Sequence, residues 1–185
     1  MCTPQDKDSI EPRRRWLLAA GLLPSTALLS GCQGRLPEGF QQWKEAQTAV
    51  LELRFRSRRH EGDWTLPQTL IHLAQSIEYS ISGYPEAKPA WFQATLGKTA
   101  FALFDARGEM SHNRDEPIPG APALDREATL KQGVQRLLDA MEAFAAYTGP
   151  LKPHFAYGQL DRAAYERAHL MHLANHWERI KPAAS

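Results

Sequence analysis

Thr65-Leu66-Pro67-Gln68-Thr69-Leu70-Ile71-His72-Leu73-Ala74-Gln75-Ser76-Ile77-Glu78-Tyr79-Ser80-Ile81-Ser82 is the stretch on which the fold class turns. It begins with a helix start signal: Thr65 as N-cap, Pro67 in the first turn and Gln68 at the capping-box position. Leu70, Ala74, Ile77 and Ile81 then fall on one helical face, and Glu78 is the only charged residue. A helix so poor in charge is expected to be largely buried. Its other side carries His72, Gln75, Ser76 and Tyr79, polar groups that need partners if they too leave water. Gly83 and Pro85 end the helix.

Working outward, the same periodicity predicts four more helices. One covers 40–55, with Trp43, Ala46, Val50 and Leu53 as an apolar stripe. Another covers 89–106, and a third covers 125–147 with Val134, Leu137, Met141 and Phe144 at helical spacing. The last covers 161–180, capped by Asp161. Residues 108–125 form a long, proline-rich loop of the kind that tends to be functional or lid-like. No stretch alternates as a strand does, so the chain reads as all-α, a helical bundle.

The N-terminus reads as processing information. Arg13, Arg14 and Arg15 precede an apolar stretch, Trp16 to Leu29, followed by Leu29-Ser30-Gly31-Cys32. That stretch falls short of the roughly 20 apolar residues a transmembrane helix needs. The arginine pair Arg13-Arg14 with Trp16 and Leu17 resembles a twin-arginine export (Tat) signal. The segment ending at Cys32 resembles a lipobox, whose cysteine receives a lipid. The expected organisation is therefore a signal peptide over 1–31, a lipid-anchored tether over 32–39 and a helical domain over 40–181. The mature protein would be an exported lipoprotein, membrane-anchored at Cys32 and facing the periplasm or the cell exterior.

Removing residues 1–31 leaves 154 of 185, enough for one domain with a real core. Cys2, the other of the two cysteines, lies in the removed segment, so no disulfide is available. From Gln33 onward there are 18 Lys+Arg and 18 Asp+Glu, a balance that argues against nucleic acid as a partner. The run Arg54, Arg56, Arg58 and Arg59 is read as a solvated helix end, with an anionic-surface patch as the alternative. The expected partners are an unknown small-molecule ligand and the membrane through the N-terminal lipid, with a homodimer as the expected oligomer.

On a wheel of about 100° per residue, His169, His172 and His176 share the apolar face of the last helix, and Arg167 and Glu178 point the other way. His172 and His176, four apart, stack on adjacent turns and can reach one ion, with His72 as a third nitrogen. Such a pair serves equally as hydrogen-bonded core histidines, and the spacing alone leaves both open. Leu173, Ala174 and Asn175 between them include no glutamate, so the HExxH metalloprotease pattern is excluded.

Four separated stretches carry a family resemblance: residues 62–78, Pro117-Ile118-Pro119-Gly120-Ala121-Pro122, His154-Phe155-Ala156-Tyr157-Gly158 and His169-Leu170-Met171-His172-Leu173-Ala174-Asn175-His176. Together they resemble an uncharacterised branch of the DinB-like superfamily, a domain of unknown function. The resemblance implies a four-helix bundle with an extra short helix or long loop between bundle helices. It also implies a divalent metal held by His72, His172 and His176, zinc or nickel foremost. Characterised relatives look like thiol-dependent transferases and isomerases, which implies a metal-dependent transferase or hydrolase; a non-catalytic envelope lipoprotein that binds a small molecule, a metal or a partner is the alternative. His169, one turn before His172, is a candidate additional ligand or acid/base group. His112, His154, Tyr165, Gln75 and Tyr79 are candidates for the pocket lining.

Overall fold

The computed structural model describes residues 33–183. Cys32, Arg13 and Arg14, and with them the export and lipid-attachment readings, lie outside the described residues. The described part is mostly helical, in the order α1 (Trp43–Glu52), β1 (Arg58–His60), α2 (Leu66–Ser82), α3 (Ala90–Phe92), a π-helical turn (Gln93–Gly97), α4 (Lys98–Arg107), α5 (Leu130–Ala146), α6 (Arg162–Trp177) and β2 (Ile180–Pro182). No helix among the described residues is long and apolar enough to cross a membrane.

The α2 start follows its sequence signal. Thr65 Oγ1 accepts from the Gln68 amide at 3.3 Å, and Gln68 Oε1 accepts from the Thr65 amide at 3.0 Å, closing the capping box. At α6, the Asp161 carboxylate accepts from the Ala164 amide at 2.8 Å. Leu70, Leu73, Ala74 and Ile77 of α2 meet Val134, Leu137, Met141 and Phe144 of α5 in one core, to which α6 adds Leu170, Met171 and Leu173. Burial of each large side chain contributes about 1.5–3 kcal/mol. The most extensive helix pairing is α2 on α5. Gly133 permits it, because a Cβ there would lie 3.1 Å from the Pro67 backbone.

Several expectations are corrected. Residues 58–60 and 180–182, expected as loop and helix end, pair as antiparallel strands in the register Arg58↔Pro182, Arg59↔Lys181, His60↔Ile180. Three-residue strands are too short to show alternation in a sequence. The helix expected from 125 starts at Leu130, because Asp125 spends its carboxylate on the Glu127 amide at 2.9 Å and Thr129 is the cap. The helix expected over 89–106 contains the π-turn. Gly97 in that turn presses against the 154–158 loop so closely that a Cβ would come within 1.9 Å of the Ala156 carbonyl oxygen.

Residues 33–39, expected as a tether, are instead packed on the domain. Leu36 and Phe40 are buried, and Phe40 meets Trp177 edge-on at 5.2 Å. The Gly34 amide donates to the Asp105 carbonyl at 2.9 Å, and Arg167 Nη2 donates to the Gly34 carbonyl. Apolar burial of Leu36 and Phe40 outweighs the freedom a Gly- and Pro-containing segment would otherwise keep.

Candidate metal centre

Helix periodicity sets the first three imidazoles. His172 and His176 stand one turn apart on α6, with ring centroids 4.8 Å apart, and His72 of α2 faces both at 5.1 Å. The fourth comes from the long loop: His112 lies 5.0 Å from the His172 ring and 5.3 Å from that of His176. One nitrogen from each of His72, His112, His172 and His176 lies within 4.8 Å of the other three, so the four histidines are close enough to hold one metal ion.

The spacing fits such an ion. His72 Nε2 and His172 Nε2 are 3.3 Å apart, whereas two nitrogens bound to one tetrahedral ion at about 2.1 Å would be roughly 3.4 Å apart. His176 Nε2 and His72 Nδ1 are buried with no hydrogen-bond partner, an arrangement that costs about 1–3 kcal/mol for each orphaned group. A cation supplies what the His176 lone pair lacks. Burial, reinforced by the neighbouring imidazoles, holds His72 at a pKa of about 3, His176 at about 2 and His172 well below the ordinary value. All three are neutral near pH 7, the protonation state a ligand needs. None of the four hydrogen-bonds a carboxylate among the described residues, unlike the usual pattern in which a carboxylate orients each ligating histidine.

The His112 loop is fixed by α6. Asn175, between His172 and His176, donates through Nδ2 to the Met110 carbonyl at 2.7 Å and accepts from Arg114 Nε at 3.2 Å. One amide thus grips the loop two residues on either side of His112. Arg114 also pairs with Glu178, and Arg179 donates to Asp115 Oδ2 at 2.6 Å. His112 remains solvent-exposed while its three companions are buried or half-buried.

A cavity of about 160 Å³ adjoins the centre, bounded by His72, His112 and His172 and, across from them, by His154 and His169. Met110, Ile118, Phe155 and Tyr157 give it apolar walls. His154 Nδ1 accepts from the amides of Ala156 and Tyr157 at 3.1 and 3.2 Å, so the ring proton sits on Nε2. Its ring stacks on Tyr157 at 4.2 Å. Burial holds its pKa at about 3, which makes Nε2–H a neutral donor. The π-turn secures this loop: Gln93 Nε2 donates to the Phe155 carbonyl at 3.1 Å. Such turns recur at functional sites.

His169 lies apart from the four. It stacks on Tyr165 at 5.4 Å, meets Phe144 edge-on at 5.1 Å, and its buried Nε2 has no partner. Burial lowers its pKa to about 3. Tyr165 is beneath it, donating to the Lys152 carbonyl at 2.6 Å, and does not line the cavity. Gln75 and Tyr79 do not line it either; they border a separate groove with Pro122, Gln132 and Arg136. On α2, Gln75 is rotated about 60° from His72 towards α5, and Ser76 about 40° the other way, into the cavity. Asn175 and the ligand position of His112 were not singled out by the sequence. An uncharged polar residue inside an inward HxxxH pair was the available signal for Asn175, whereas a loop offers no periodicity to place His112.

Fold and site together define a helical domain with a four-histidine cluster beside a small cavity. A family model described as a protein of unknown function, DUF1569, matches residues 38–183, and the chain belongs to that family. No curated protein and no solved structure matches it.

Proposed function

We propose that the domain is a DinB-like four-helix bundle, formed by α1, α2, α5 and α6, that binds a divalent transition metal through His72, His172, His176 and His112. Zinc and nickel are the metals we favour, both among those that imidazole suits. The reading adds that it acts on a small molecule as a metal-dependent transferase or hydrolase, in an exported lipoprotein anchored through Cys32. The observation that carries it is the convergence of four imidazole nitrogens within 4.8 Å at the edge of a cavity.

A bound ion would supply Lewis acidity towards a substrate oxygen or thiol. The chain's own groups do the rest. Met110, Ile118 and Phe155 exclude water from the cavity, and His154 Nε2–H donates to a polar atom of the ligand. His112, the exposed and loop-borne member, would be the ligand most open to exchange for a substrate atom. The second reading, a binding protein without catalysis, draws on the same count: four nitrogens close the shell of a tetrahedral ion, as in structural sites.

The test is elemental analysis of the purified protein beside His72→Ala/His172→Ala/His176→Ala, followed by cobalt substitution and its visible spectrum in the parent and in His112→Ala. Near-stoichiometric metal in the parent and none in the triple variant is expected. Trace metal in both would overturn the site. A four-coordinate cobalt spectrum unchanged by every candidate small molecule would move the reading to the non-catalytic alternative.

A further inference from the structure

The first described residues are docked on the domain. The Gln33 side chain reaches the Asp105 carboxylate at 3.4 Å, and Gly34 is seated against the Arg107–Gly108 backbone so tightly that a Cβ would lie 2.1 Å from the Arg107 carbonyl carbon. Gln33 and Gly34 are therefore held at the C-terminal end of α4. A lipid on the residue before them would bring the bilayer surface to this end of the domain.

The segment α3–α4 is also where exposed apolar side chains gather. Trp91 is 65% exposed, Leu96 57% and Leu103 46%. On an uninterrupted helix Trp91 and Leu103 would be about 120° apart. The wider π-turn at Gln93–Gly97 retards the helical phase between them and draws them towards one side. Exposed Lys98 and Arg107 flank them, the cationic complement an anionic headgroup takes. Phe55, 79% exposed, and Leu51, 42% exposed in the last turn of α1, are the competing apolar groups. Phe55 belongs to the end of the domain where β1 meets β2, beyond the C-terminus of α6, whereas Arg167, which holds Gly34, lies about ten residues or 15 Å back along that helix.

We propose that the outer face of α3–α4, carrying Trp91, Leu96 and Leu103, lies along the phospholipid bilayer surface. The lipid would tether the domain beside Gln33 at one end and Trp91 would engage the bilayer at the other, so the domain holds a fixed orientation on the membrane. This rests on the anchor reading given above.

The experiment uses the full chain, exported by a bacterial host, purified and reconstituted into vesicles of phosphatidylethanolamine and phosphatidylglycerol with brominated acyl chains. Mass spectrometry of the N-terminal peptide reads acylation of Cys32. The emission difference between the parent and Trp91→Phe isolates the Trp91 signal. Loss of that signal in brominated vesicles, and its return in Leu96→Gln/Leu103→Gln, is the expected result. Acylated protein whose Trp91 ignores lipid bromine and is quenched by aqueous iodide would overturn the face and leave the anchor standing. Unacylated Cys32 would remove the anchor and the proposal with it. Sedimentation of a dimer in which Trp91 is shielded without lipid would give the face to a second copy and overturn the proposal.

Discussion

His72 Nε2 and His172 Nε2 lie 3.3 Å apart although the residues are a hundred positions apart in the chain. Two neutral imidazoles can share at most one proton across that gap, and His176 Nε2 beside them has no partner. The metal-free domain therefore carries an unsatisfied polar group, His176 Nε2, that an ion would satisfy.

Ion binding should accordingly raise the melting temperature. With free zinc or nickel at a hundred times the dissociation constant the gain is about 2.7 kcal/mol, roughly 5–10 °C for a domain of this size. Calorimetry with and without a chelator reads it, and His72→Ala should show no difference between the two. A chelator-insensitive melting temperature in the parent would count against the site.

Asn175 governs the fourth nitrogen. Replacing it with alanine frees both Met110 and Arg114, so the His112 loop loses its grip on α6. Metal affinity should fall by about 10–100-fold, the usual effect of losing a group that positions a ligand. Competition with a chromophoric chelator measures this, and Arg114→Ala should shift affinity in the same direction. Equal affinity in Asn175→Ala and parent would show that His112 reaches the centre without the clamp.

His154 and His169 make apo stability depend on pH. Burial holds both at a pKa of about 3 in the folded protein, whereas an unfolded histidine titrates near 6.5. Between those values the unfolded chain binds protons that the folded one refuses. Stability is therefore full above pH ~6.5 and declines as pH falls towards ~3. Denaturant midpoints of chelator-treated protein from pH 8 to 4 should show the decline. His169→Phe should make it shallower and gain about 1 kcal/mol at pH 8, because the orphaned Nε2 is gone.

What the sequence disclosed follows the range over which its signals act. Capping at Thr65 and Asp161, and the inward stripe of α6, are local and periodic, and they make His72, His172 and His176 legible in the sequence. His112 has no such local signal: its place depends on Asn175 gripping a loop more than sixty residues away in sequence. The β1–β2 pair and the docking of Leu36 and Phe40 are likewise set by long-range contacts. Gln75 and Tyr79 share a helix with His72, and small rotations about its axis send them to another groove.

The distance in sequence between His72 and His172 also orders events during synthesis. The centre draws on α2, the loop after α4 and the last helix, so no fragment lacking the C-terminal quarter of the domain holds more than two of its imidazoles. Contacts of such separation form late, after the loop-closure entropy between them has been met. An ion bound there could not seed the fold; it would arrive as a final latch, and a ribosome stalled before His172 would display a nascent chain with only two of the four imidazoles.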